Sequence, residues 1–184
     1  VGKELPSRQV NAMLFDAKGR IWIGTNKGLI AHESVSGKTI KFEYGIGAGK
    51  IIHENILSLC EDRNGVIWIG TAEGLNTYDP STERFAAFTY NPADQGSLSH
   101  NMVWSVFEDH AGVMWVGTQG GLNRYDPLQK RFMRFANDPS DKNSISHSYV
   151  NAIFEDNAQR LWFGTYGGGV SRFDPHQQKF SLYV

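Results

Sequence analysis

Four tryptophan-bearing segments recur along the chain at a nearly constant interval, and that period restricts the fold more than any other feature. GRIWIGT (19–25), GVIWIGT (65–71), GVMWVGT (112–118) and QRLWFGT (159–165) align without a gap, which spaces Trp22, Trp68, Trp115 and Trp162 by 46, 47 and 47 residues. Repeats of that length are propeller blades or helical pairs. The local pattern selects strands: short alternating runs, rich in β-branched and aromatic residues, are broken by Gly, Asn and Asp-Pro. No stretch keeps a 3.6-residue apolar spacing over three turns. The expected fold is all-β, a β-propeller with four blades of four antiparallel strands, at approximately 7–45, 53–90, 100–137 and 147–184.

Within each repeat the first strand is apolar on both faces, as a strand sandwiched between sheets must be: VNAMLFD, ILSLCED, VWSVFED and VNAIFED. The tryptophan segment is second, GLIAHE, GLNTYD, GLNRYD and GVSRFD are third, and the fourth carries aromatics three apart, Phe85/Phe88, Phe132/Phe135 and Phe180/Tyr183. The first repeat keeps only Phe42 of that pair, with Thr39 at the other place. Asp-x-x-Gly joins strands one and two, where Asp accepts turn N–H groups and Gly supplies a positive φ. Gln159 stands where the fourth repeat should have that Gly, so its turn is expected to be strained by about 1 kcal/mol or reshaped. Asp-Pro at 79–80, 126–127 and 174–175 joins strands three and four, and the first repeat has Glu33-Ser34 instead. Such a sheet cannot bury both faces alone. Covering one tryptophan by the next blade removes roughly 150–250 Å² from water, about 4–6 kcal/mol gross. Trp22, Trp68, Trp115 and Trp162 are therefore read as structural, joining blade to blade.

Composition excludes several function classes. Among 184 residues, 18 basic side chains face 19 acidic ones, so no bulk field draws the chain to nucleic acid. Apolar runs are too short for a membrane span, so no membrane contact is expected of this segment, and no secretion signal opens it. Cys60 alone permits no internal disulfide and no thiolate zinc site, and reads as a small hydrophobe in an alternating strand.

The pattern ED-x-x-G-x-x-W-x-GT-x-x-GL-x-x-(Y/F)DP, present across essentially the whole chain, resembles the two-component regulator propeller repeat. It lacks the Gly-His and Trp-Asp pairs of WD-type repeats and the Asp-to-Trp spacing of sialidase Asp-boxes. The resemblance implies a periplasmic sensor region of a bacterial inner-membrane protein whose output module, a hybrid histidine kinase or a diguanylate cyclase, lies beyond a membrane helix. It implies a small-molecule ligand, with oligosaccharides sensed by several members. Family rings exceed four blades, so the chain is expected to be an excerpt of a larger ring. An open arc is favoured over a closed four-bladed ring, because the chain runs in phase from first to fourth strand with no swapped strand to latch closure. Open faces would take further blades or self-associate.

Propellers bind ligands at the channel mouth, on loops joining strand two to three and strand four to one. The two-to-three loops differ in every blade while the scaffold repeats, which is where specificity can reside. They nominate Asn26, Lys27, Glu73, Gln119 and Tyr166, the last in a loop one residue longer than the others. In the four-to-one loops His53, His100 and His147 are in register, with Ser7 in the first repeat. Their separation across blades argues against shared zinc and for turn chemistry, with polar ligand contact open to His100 and His147. Trp104, where other blades have Asn11, Leu57 and Asn151, is either core filler or a channel-lining aromatic. No metal, cofactor or catalytic residue is nominated. Glu61-Asp62, Glu108-Asp109 and Glu155-Asp156 are turn carboxylates expected at the opposite end, and no Ser/His/Asp set or phosphate loop is present. Sensing by a binding module is the leading function. A protein-interaction or self-association scaffold is the alternative, and a propeller glycosidase or lyase comes third.

Overall fold

A computed structural model of the chain describes residues 5–45, 47 and 49–183. They form strands and connections only. The first blade holds β1 (Val10–Phe15), β2 (Arg20–Thr25), β3 (Gly28–Glu33) and β4 (Thr39–Phe42), and the second β5 (Ile56–Glu61), β6 (Ile67–Thr71), β7 (Gly74–Asp79) and β8 (Arg84–Phe88). The third holds β9 (Val103–Glu108), β10 (Met114–Thr118), β11 (Gly121–Asp126) and β12 (Arg131–Phe135), and the fourth β13 (Val150–Glu155), β14 (Leu161–Thr165), β15 (Gly169–Asp174) and β16 (Lys179–Tyr183). Every blade is an antiparallel meander in chain order. First strands pack side by side, β1 on β5, β5 on β9 and β9 on β13, so they line the inside of an arc.

The glycines of the first three Trp-x-Gly-Thr segments are explained by that packing. A Cβ on Gly24 would lie 2.9 Å from Ile56 Cβ, on Gly70 2.8 Å from Val103 Cγ1, and on Gly117 2.7 Å from the Val150 carbonyl oxygen. Each glycine is thus a notch for the first strand of the following blade. The threonine that follows closes the hairpin: Thr25, Thr71, Thr118 and Thr165 Oγ1 donate to the carbonyls of Gly28, Gly74, Gly121 and Gly169 at 2.8–3.1 Å.

Tryptophan burial follows the same polarity. Trp22 stacks on Phe42 of its own blade at 5.2 Å and meets Tyr78 of the next at 5.8 Å, within a core completed by Ile56, Ile67 and Ile69. Trp68 and Trp115 meet Tyr125 and Phe173 in the same way. The aromatics three apart on the fourth strands point to opposite faces, so Phe85 and Phe88, like Phe132 and Phe135, serve two different blade interfaces. The indole N–H of each repeat tryptophan is satisfied by the turn aspartate of its own blade: Trp22, Trp68, Trp115 and Trp162 Nε1 donate to Asp16, Asp62, Asp109 and Asp156 Oδ2 at 2.8–2.9 Å. The other carboxylate oxygen accepts turn N–H groups, Arg20 on Asp16 and Val113 on Asp109 among them, both at 2.8 Å.

The glutamate before each aspartate binds across blades. Glu61 accepts from the Ala17 N–H, Glu108 from the Arg63 N–H and Glu155 from the His110 N–H, each at 2.8 Å. These carboxylates hold consecutive blades in register, a role beyond closing their own turns. The first blade has Phe15 at that place, 67% exposed.

Gln159 keeps the shape of the glycine turns by taking φ +61°, with its N–H still donating to the Asp156 carbonyl at 2.8 Å. Of the two expected outcomes, strain rather than reshaping is realised. The arc is open: Met13 and Phe15 on the first blade and Phe154, Val170 and Tyr183 on the fourth remain exposed. Trp162, alone of the four repeat tryptophans, is not covered by another blade among the described residues. Its ring lies under Arg160 and Arg172 and against Tyr183, all from its own blade.

Candidate functional site

All four first strands carry a bulge at their start. Pairing shifts between Val10 and Ala12, Ile56 and Ser58, Val103 and Ser105, and Val150 and Ala152. The extra residues are Asn11, Leu57, Trp104 and Asn151, which is why Trp104 obeys no blade-wide rule: a bulge takes its residue out of the ladder and re-aims the side chain. Beside each bulge the two-to-three loop is tied to the residue preceding the first strand. Asn26, Ala72, Gln119 and Tyr166 N–H donate to the carbonyls of Gln9, Asn55, Met102 and Tyr149 at 2.9–3.3 Å. Loops and bulges therefore converge at one end of the arc.

On the third and fourth blades this end is aromatic. Trp104 stacks on Tyr149 with ring centroids 5.3 Å apart and planes at 27°, and Tyr149 stacks on Tyr166 at 5.2 Å and 28°. The series begins on an inner strand and finishes at Tyr166, 68% exposed. Burial, and then the Tyr166 phenol beside it, raise the Tyr149 hydroxyl above its ordinary value, so it is a neutral donor and acceptor at physiological pH. On the first and second blades the same end is built of amides. Asn26 Nδ2 donates to Gln9 Oε1 at 3.2 Å, and Asn11 Nδ2 to Asn55 Oδ1 at 3.1 Å and to the Ile56 carbonyl at 2.9 Å.

The sequence-nominated residues thus divide. Trp104 and Tyr166 share one stack through Tyr149, and Asn26 joins the amide chain. Lys27, Glu73 and Gln119 are exposed on separate blades and make no side-chain hydrogen bond among the described residues. The histidines close turns: His53, His100 and His147 Nδ1 accept the N–H of Asn55, Met102 and Tyr149, each at 3.0 Å, as Ser7 Oγ accepts that of Gln9 at 3.1 Å. That bond leaves only Nε2 for any ligand. Among the described residues no group of three His, Cys, Asp or Glu side chains converges as metal ligands would. Cys60 is partly buried, and burial pushes its thiol up to about 11, which keeps it an unreactive thiol.

Sequence reasoning misses Tyr149, Gln9, Asn11 and Asn55 as site residues. A signal for Tyr149 exists: it occupies the place of Gln9, Asn55 and Met102 immediately before a first strand, and it is aromatic only in the blade whose two-to-three loop holds Tyr166.

The recurring pattern of the family described as two component regulator propeller matches residues 4–27, 50–73, 97–120 and 144–167, more than half of the chain. The extracellular domain of a hybrid two-component system from B. thetaiotaomicron superposes with TM-score 0.80 at 22% identity, covering 98% of this chain and 25% of that one. The extracellular domain of a one-component system from the same organism gives 0.76 at 24%, covering 95% and 25%. A catalytically inactive virginiamycin B lyase from Staphylococcus aureus gives 0.62 at 16%, covering 90% and 55%. The chain spans about a quarter of the length of the two B. thetaiotaomicron domains. No curated protein matches it.

Proposed function

Because this chain belongs to the two-component regulator propeller family, we propose that it is a ligand-sensing segment of a bacterial transmembrane signalling protein, held outside the cytoplasm in the periplasm, and that it recognises an oligosaccharide. The observation that carries the reading is the Trp104–Tyr149–Tyr166 stack, built from the bulge and loop positions that vary while the scaffold repeats. Stacked aromatic faces suit the C–H face of a sugar ring, and the amides of Gln9, Asn11, Asn26 and Asn55 supply donors and acceptors for hydroxyls without requiring charge. A non-enzymatic role is supported by the carboxylates. Asp62, Glu108, Asp109, Glu155 and Asp156 hold indoles, turns and neighbouring blades at the other end, which leaves no acid–base pair at the mouth among them.

The test is a panel of neutral and acidic oligosaccharides screened by thermal shift against the 184-residue chain. One glycan class is expected to stabilise saturably. A ligand at a hundredfold excess over its Kd adds about 2.7 kcal/mol, which for a chain of this size raises Tm by roughly 5–10 °C. Tyr166→Ala and Trp104→Ala should remove that shift. No shift with any saccharide, or a shift that survives both substitutions, refutes the reading. Release of reducing ends would move the assignment to a glycosidase or lyase.

The exposed faces favour a second reading, a scaffold that self-associates or accepts further blades. Phe154, Val170 and Tyr183 then make a contact that Phe154→Lys dissolves in sedimentation velocity while any saccharide response persists.

A further inference from the structure

One cleft of the arc is not at the mouth. It lies between the third and fourth blades at the opposite end, with a volume of about 470 Å³ and a floor of Val113, Trp115, Leu161, Phe173 and Pro175. Two sequence differences set this interface apart from the junction of blades two and three. At the junction of blades two and three, Arg63 reaches across: Nε donates to Glu108 at 2.9 Å, and Nη2 to the carbonyls of Asp109 and His110 at 3.2 and 3.1 Å. His110 takes the place of Arg63 at the next junction, and its shorter ring reaches only Glu155. Tyr78 and Tyr125 occupy the place of Phe173 in the two preceding blades, so a hydroxyl present at both other junctions is missing here.

Charge at the cleft is unevenly committed. Asp109 accepts from Trp115 Nε1 and Val113 N–H, Glu155 from His110, and Asp174 from the N–H groups of His176 and Gln177. Arg160 is paired with Asp156. Arg124 has no carboxylate partner among the described residues. Its guanidinium makes only long contacts, 3.4 Å to Gln178 Oε1 and 3.5 Å to Met133 Sδ. In the first and second blades the same place holds Ala31 and Thr77, so the scaffold does not require an arginine there.

We propose that this cleft is a second binding site, for a small aryl carboxylate: the planar anion pairs with Arg124 and the ring lies against the apolar floor beside the edge of Phe173. A guanidinium offers two parallel N–H donors matched to a carboxylate, and the space falls within the range of small-molecule pockets. The site is independent of the mouth and of the ligand proposed there.

Benzoate, phenylacetate and cinnamate, each beside its primary amide, are titrated into the 184-residue chain by calorimetry and ligand-observed NMR. At least one acid is expected to bind saturably, and its amide at least tenfold more weakly. Arg124→Gln should weaken the acid tenfold or more. Phe173→Tyr, which installs the residue that two other blades already tolerate, should abolish binding while the thermal midpoint is kept. Trp104→Ala should leave the affinity unchanged. The proposal is overturned if no acid binds saturably, if acids and amides bind alike, or if the affinity survives both Arg124→Gln and Phe173→Tyr.

Discussion

Gly117→Ala and Gly164→Ala are chemically the same change at equivalent places in neighbouring blades, and the arc predicts unequal outcomes for them. At Gly117 the new Cβ would stand 2.7 Å from the Val150 carbonyl oxygen and 3.0 Å from Val150 Cγ1. Ser105 can rotate away, but the carbonyl belongs to the backbone of the fourth blade, so relief requires that the two blades part by several tenths of an ångström. Overpacking of this kind costs about 1–3 kcal/mol. At Gly164 the nearest atom is Ala152 Cβ of the same blade at 3.2 Å, and nothing from another blade comes within 4 Å. There the restriction of the unfolded chain, about 0.4–1 kcal/mol, is offset by the close approach to Ala152, so the change is close to neutral. The pair should therefore differ by roughly 1–3 kcal/mol, which for a chain of this length separates their midpoints by about 2–12 °C. Thermal unfolding followed by tryptophan fluorescence, alongside urea titration, measures both. Equal destabilisation by the two variants would refute the idea that these glycines are notches for the next blade, and would assign their role to strands within a single blade.

Two further outcomes follow from turn and carboxylate geometry. Gln159→Gly relieves a side chain held at φ +61° while loosening the unfolded chain, so a net gain of about 0.5 kcal/mol is expected in urea unfolding, and a loss would show that Gln159 makes a compensating contact. At Asp16, burial raises the carboxyl, but hydrogen bonds from Trp22 and Arg20 outweigh it and hold the pKa below its ordinary 3.8; at Asp79 bonds from Ser81 and Thr82 lower it to about 2. With folded values depressed, the stabilisation is complete above about pH 4 and is lost as pH falls through the folded values. Urea midpoints should drop between pH 4 and pH 2, and Asp16→Asn should lower the midpoint at pH 7 while flattening that drop; an unchanged slope would remove Asp16 from the account.

The site was only partly legible in advance. Trp104 and Tyr166 stood out because each departs from its repeat, and both lie in the stack. Tyr149 did not, because its partner is 17 residues away in sequence and only the hydrogen bond between its carbonyl and the Tyr166 N–H brings the rings together. In sequence the glutamates are turn residues, each preceding the aspartate of a turn. What they bind is the turn of the preceding blade, 44 or 45 residues earlier, which no pattern local to one repeat expresses.

The sequence alone determined the strands, their number per blade and the turns between them, because alternation, tryptophan period and Asp-x-x-Gly or Asp-Pro punctuation are short-range demands of the backbone that each repeat states for itself. Blade order follows too, since every sheet leaves apolar faces that the next must cover. Tertiary structure decided the rest. Whether the bulge residues and loops of different blades meet, which glutamate holds which turn, and where a cleft lies beside His110 and Phe173 all depend on distances between side chains that belong to separate repeats. Those distances are set by how sheets stack, and stacking is a property of neighbouring blades taken together.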